Sequence, residues 1–226
     1  MSDAAISADA PKNCRRCPRL VAFRARNTKQ EADWFNGAVP SFGDRSASLL
    51  IVGLAPGLRG ANRTGRPFTG DSSGEVLFRM LDKFGFTQGE FANLADDGLT
   101  MVDAMITNAV RCVPPQNRPI GSEVTACRSY LTAQIDVLPS LKLILALGKI
   151  AHDSSVKALG LKLKDHPFGH AKAYHIECHG RPISLLSSYH CSRYNLNTGR
   201  LTEKMFEEIF QTARRILAKD TNSLQD

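Results

Sequence analysis

Six cysteines stand at positions 14, 17, 112, 127, 178 and 191. Cys14-Arg15-Arg16-Cys17 is a short loop that lets two thiolates converge on one centre, and Cys112 with Cys127 makes a second, wider pair. Nothing in the chain marks it for secretion, so disulfides are disfavoured and clustered thiols point to metal or redox chemistry. A thioredoxin-like role does not suit this Cys-x-x-Cys, which precedes the first strand instead of lying in a strand-to-helix turn. Arg15, Arg16, Arg111 and Arg128 flank the pairs. Positive neighbours lower thiol pKa values and offset the charge of a thiolate-rich centre. Spacing alone leaves structural zinc and an iron–sulfur cluster equally open as occupants of a site formed by Cys14, Cys17, Cys112 and Cys127. Cys178 and Cys191 fall outside that scheme and read as small buried residues.

Three polar segments carry the other candidates. From Gly53 to Asp71 the chain is rich in glycine and holds two prolines, the composition of a loop whose backbone approaches something closely. It matches neither a Walker A loop nor G-x-G-x-x-G. Arg59, Arg63 and Arg66 can contact phosphates, and Phe68 offers a face on which a base can stack. Thr107-Asn108 closes the second apolar run, where an amide can both donate to and accept from a base edge. A strand-end Asn on its own more commonly makes a turn. His190 follows the fourth apolar run and precedes a polar loop with Arg193 and Arg200, a setting in which an imidazole can donate to an anionic leaving group.

These segments need a frame that brings them together. Four short apolar runs, 48–53, 102–110, 143–148 and 183–187, have the length and flanking turn residues of buried strands. Helical patterns lie between and after them at 75–84, 122–138 (with Ser122 as cap) and 202–219 (with Thr202 as cap). In the last, Met205, Phe206, Ile209, Phe210, Ala213, Ile216 and Leu217 form one apolar stripe, the signature of a face packed on a core. Strand–helix alternation predicts a three-layer α/β/α domain on a largely parallel four-stranded sheet. Ligands of such sheets sit beyond the carboxyl ends of the strands, where the polar segments begin. Residues 13–218 read as one domain, with loose tails at 1–12 and 219–226.

The 29 Lys and Arg against 22 Asp and Glu leave a net charge of +7. That surplus favours a polyanionic partner, because each phosphate contact releases counterions. No apolar run is long enough to cross a membrane and no leader is evident at Met1, so the expected location is cytoplasmic. A monomer is the default.

As an ordered set, these features resemble the uracil-DNA glycosylase superfamily, and within it family 5, the type B iron–sulfur branch. The resemblance covers about residues 13 to 218. It rests on the four cysteines, Gly53-Leu54-Ala55-Pro56-Gly57, the Gly60-to-Asp71 loop, Asn108 before Arg111-Cys112, and the His190 loop ending in Thr198-Gly199-Arg200-Leu201-Thr202. It implies a structural [4Fe–4S] cluster on Cys14, Cys17, Cys112 and Cys127, with zinc the lesser alternative. The implied substrate is DNA carrying uracil or another deaminated base, hypoxanthine or xanthine, flipped out of the helix. Phe68 would stack on the base, Asn108 would read its edge, and His190 would stabilise its developing charge. Gly53, Leu54 and Ala55 would line the pocket. Arg63, Arg66, Ser192, Arg193 and Arg200 would hold phosphates. Most branches carry a water-activating acid or amide at the position of Leu54, so that task falls to Asp71 or Asn108. No Lys nucleophile stands near these loops, which implies hydrolysis to an abasic site without strand cleavage. His190-Cys191-Ser192-Arg193 departs from the usual His-Pro-Ser-Pro and lacks both stiffening prolines. A catalytically silent, metal-stabilised nucleic-acid-binding module and a nucleotide-binding α/β hydrolase are the alternatives.

Overall fold

The computed structural model describes residues 8–178 and 180–222, the last four of these by backbone alone. In chain order the helices and strands are α1 (Pro18–Gln30), β1 (Phe42–Gly43), β2 (Leu49–Gly53), α2 (Ala61–Thr64), α3 (Ser72–Lys83), β3 (Thr87–Gln88), β4 (Thr100–Met101) and β5 (Ala104–Asn108). They continue with α4 (Gly121–Asp136), β6 (Leu143–Leu147), α5 (Lys149–Ala158), β7 (Ala173–Cys178), β8 (Arg181–Ser188), α6 (Arg193–Asn197) and α7 (Glu203–Asn222). The main sheet runs β1-β5-β2-β6-β8-β7.

Its middle is the expected set of four parallel strands, β5, β2, β6 and β8. Two antiparallel edges, β1 and β7, bring the sheet to six strands rather than four. Every residue of β2, β5 and β6 is buried, because helices cover both faces of a parallel sheet. The faces are sorted by the period of two. Leu49, Ile51, Ile106, Leu143 and Leu145 pack on α3 and α7 through Leu77, Phe78, Phe206 and Phe210. Leu50, Val52, Met105, Ile144 and Ala146 pack on α4 and α5 through Leu131, Ile135, Ala151 and Val156. The three-layer α/β/α class therefore holds.

Element ends depart from the sequence expectations for local reasons. The helix expected from Ser122 begins at Gly121, because the Glu123 carboxylate reaches back to accept from the Ile120 N–H at 2.9 Å. Thr202 does cap α7, accepting from the Met205 N–H, and that helix continues to Asn222, past the expected tail boundary. The stripe on α7 is core, with Phe206, Ile209, Phe210 and Ala213 fully buried. At the other end, Ala10 is buried and Asp9 accepts from Arg111 at 3.0 Å and from Ser41. The stretch expected to be loose is thus tied down from Ala8 onward, and residues 1–7 lie outside the described set.

One ion pair secures the glycine-rich loop. Arg66 makes a bidentate pair with Asp97, 2.7 Å on each arm, and both side chains are almost entirely buried. Phe42, Phe78 and Phe91 lie around its guanidinium. The hydrogen bonds from Arg66 hold the Asp97 carboxyl at about 2, below the ordinary carboxylate range. The pair therefore contributes stability above the unfolded value of about 4 that is lost as pH falls toward 2. We expect Asp97→Asn, which strands a buried guanidinium, to cost about 3–5 kcal/mol in chemical denaturation at neutral pH.

Candidate active site

In-register parallel pairing sets Gly53 directly opposite Asn108, and Leu147 opposite Ser188. All four strands thus end along one edge of the sheet, and the polar segments leave from that edge side by side. Past the strand ends the pairing continues: the Ala109 N–H donates to the Gly53 carbonyl, and the Val110 N–H to that of Leu54. A cavity of about 320 Å³ opens there, lined among others by Leu54, Ala55, Phe68, Asp71, Asn108 and His190. The residues expected to make a base pocket are therefore brought together.

Gly53, expected to line the pocket, is not among the residues that border it; it backs Asn108 and Phe68 and has no room for a side chain. A Cβ there would lie 2.4 Å from Asn108 Oδ1 and 2.6 Å from the Phe68 ring. Phe68 reaches this position through a left-handed backbone, φ +53°, that non-glycine residues rarely adopt. The first turn of α3 presses against it, since a Cβ on Gly74 would lie 1.8 Å from the Phe68 carbonyl oxygen. Asp71 caps that helix, its Oδ1 accepting from the Ser73 and Gly74 N–H groups. Its Oδ2 lies over Gly57 and Gly60, near the cavity that Gly57 and Asp71 border. One carboxylate thus anchors α3 with one oxygen and presents the other to the site.

His190 forms the facing wall. Its ring is nearly parallel to Phe68, with centroids 5.8 Å apart. Burial is the largest influence on its pKa and pushes it below the ordinary range, opposed by the Asp71 charge. At neutral pH the ring is therefore uncharged, with one N–H to donate and one lone pair.

The arginines divide. Arg63 on α2, Arg193 at the start of α6 and Arg200 are exposed. Ser192 borders the cavity and caps α6 by accepting from the Asn195 N–H. Arg66 was expected to hold phosphate and does not. It is buried and fully engaged by Asp97 and Thr69. Its spacing matched that of its neighbours Arg59 and Arg63, and only the remote Asp97 shows the difference. Two cavity residues escaped the sequence reading, Ser73 and Asn117. Asn117 reaches the site from a turn in which it and Gln116 both have positive φ. The flanking prolines at 114, 115 and 119 were the available signal.

Cys14, Cys17, Cys112 and Cys127 line a second, almost wholly apolar cavity with Leu20, Val110 and Tyr130. As they stand, no group of three or more His, Cys, Asp or Glu among the described residues is set to hold a single metal ion. Buried Arg24, which the sequence reading passed over, donates to Cys112 Sγ at 3.3 Å and to the Cys14 carbonyl. The Arg111 N–H donates to Cys127 Sγ at 3.3 Å. Burial pushes the Cys112 thiol up to about 12 and raises Cys17 and Cys127. Cys178 and Cys191 are buried elsewhere, as expected.

An amide, an imidazole and an aromatic ring thus surround one cavity at the ends of parallel strands. Residues 40–214 match the model of the uracil DNA glycosylase superfamily, and the chain belongs to that superfamily. Its enzymes hydrolyse N-glycosyl bonds and remove uracil from DNA in repair. The chain is 43% identical over 209 residues to the type-5 uracil-DNA glycosylase of Thermus thermophilus, covering 90% of this chain and 93% of that protein. It is 37% identical to the type-5 uracil-DNA glycosylase of Pyrobaculum aerophilum, covering 89% of this chain and 88% of that one. Against that organism's type-4 uracil-DNA glycosylase the identity is 33% over 79% of this chain. The family 5 resemblance is the one these relatives bear out.

Two outcomes follow from this geometry. Gly53→Ala should displace Asn108 or Phe68 and lower kcat/KM for uracil excision by about 100-fold, read in a gel cleavage assay. Buried His152 and half-buried His170 and His190 all have pKa values pushed down, chiefly by desolvation of the ring. The unfolded chain then takes up protons before the folded one. Stability is complete above about pH 6.5 and falls as pH drops through that value toward the lowered folded pKa values. Melting temperatures measured from pH 8 to 5 should show this decline, and His152→Gln should make it shallower.

Proposed function

We propose that the chain excises uracil and other deaminated bases, hypoxanthine and xanthine, from DNA as a monofunctional hydrolase. The observation that carries this reading is the single cavity walled by Phe68, Asn108 and His190. The base would stack on Phe68, with Asn108 donating to and accepting from its edge. As the C1′–N bond breaks, the electron pair leaves with the base, and neutral His190 donates an N–H to the oxygen on which the charge develops. Water adds to C1′. Leu54 cannot activate that water, whereas Asp71 Oδ2 can orient it, with Asn108 as the other candidate. The base takes up a proton, and an abasic site remains. Among the described residues no lysine lines the cavity, which supports hydrolysis over lyase chemistry. An apolar Leu54 asks for no particular hydrogen-bond pattern, which supports several bases over strict uracil selection. Arg63, Arg193 and Arg200, with the Ser192 hydroxyl, would hold the backbone phosphates.

Cys14, Cys17, Cys112 and Cys127 would hold a [4Fe–4S] cluster. Four soft donors in an apolar cavity, with N–H groups from Arg24 and Arg111 aimed at two sulfurs, fit such a group. When bound it supplies structural cross-linking and takes no part in the reaction. Purified protein should be brown, with broad absorbance near about 400 nm, and a colourless zinc-containing preparation would overturn the assignment.

The functional test is incubation of DNA carrying uracil, hypoxanthine or xanthine, followed by alkaline cleavage. All three should yield product only after alkali, and His190→Ala should slow excision by about 100-fold or more. Wild-type excision by His190→Ala would remove that residue from the mechanism, and no product from any base would favour a silent DNA-binding module.

A further inference from the structure

The His190 loop lacks the prolines that would stiffen it, yet it is held at three successive residues, by backbone at Tyr189 and His190 and by the side chain at Cys191. The Asn195 side-chain amide donates to the His190 carbonyl at 2.8 Å. The buried Cys191 thiol donates to the Ser73 carbonyl at 3.5 Å, joining the loop to the first turn of α3. On the other side, the Tyr189 N–H donates to His170 Nδ1 at 3.1 Å. The His170 ring also stacks on that of Tyr189, at 9° and 4.9 Å between centroids. Arg200 lies over the same tyrosine ring at 4.7 Å.

We propose that His170 is a positioning residue for His190: its Nδ1 lone pair and ring face lock Tyr189, and so set where the next side chain enters the base cavity. His170 belongs to the 159–172 segment, which leaves α5 and does not line that cavity. The segment is itself pinned to the sheet, because His152 bridges Ser187 Oγ at 2.7 Å and the His166 carbonyl at 2.8 Å. A rigid path thus runs from the core through His152, the loop and His170 to Tyr189. A backbone N–H at this point has a side chain as its acceptor, so removing that acceptor frees the peptide next to His190. This inference rests on the role assigned to His190 above.

The test uses His170→Phe, which keeps an aromatic face and removes the acceptor, and His170→Asn, which keeps an acceptor near the place of Nδ1. Single-turnover excision of uracil, DNA affinity and melting temperature are measured for both, with His190→Ala alongside. His170→Phe is expected to lower the single-turnover rate by about 10-fold or more, with Kd changed less than about 2-fold, and His170→Asn to restore most of the rate. A wild-type rate for His170→Phe beside an impaired His190→Ala would overturn the inference and leave the role of His190 standing. Equal losses in His170→Phe and His170→Asn, tracking a fall in melting temperature, would also overturn it by showing a merely structural residue. A wild-type rate for His190→Ala would instead remove the reading on which the inference rests.

Discussion

Gly53 and Asn108 are register partners at the ends of two parallel strands, and the rest of the site is arranged above that pair. Because hydrogen bonds in a parallel ladder are evenly spaced, the register that buries Leu50, Val52 and Met105 on one face also sets where each strand stops. A slip of one residue would turn Asn108 away from the cavity and carry the apolar set to the wrong face. Core packing and the placement of the Asn108 amide are therefore one constraint. The missing Cβ at Gly53 then lets Asn108 and Phe68 close over the backbone.

Around that pair, order comes from groups that serve two purposes. Asp71 caps α3 with one oxygen and faces the site with the other. The segment after β5 pairs with the Leu54 loop through Ala109 and Val110, and within a few residues reaches Arg111 and Cys112 beside the cysteine cavity. The two cavities are thus joined by a short, hydrogen-bonded stretch of backbone. Loss of packing around the thiols would be felt at the strand ends that carry Gly53 and Asn108.

Charge is divided in the same economical way. The surface surplus is carried by exposed residues such as Arg63, Arg193 and Arg200, available to phosphate at low desolvation cost. Arg24, Arg66 and Arg111 are instead buried, each with specific acceptors: a thiol and a carbonyl, a carboxylate, and an aspartate with Ser41. Counting basic residues reveals the partner's sign. It does not reveal which cations remain free to meet it.

The sequence by itself determined the parallel four-strand centre, the helix stripes, the cysteine set, the strand-end positions of Asn108 and His190 and the placement of Phe68 in the loop after the first long strand. Those features are local, since burial on two faces imprints continuous apolar runs and functional loops follow them directly. The edge strands were hidden, because β1 is two residues long and β7 buries only one face. Its alternation of Tyr174, Ile176 and Cys178 was the signal that could have disclosed it. Tertiary structure alone decided that Arg66 is an internal prop, that Arg24 serves the cysteines, that Asp9 is clamped and that His170 grips Tyr189. Each of those depends on a partner distant in sequence or on a loop path no periodicity encodes, and distance in space is what a linear pattern does not carry.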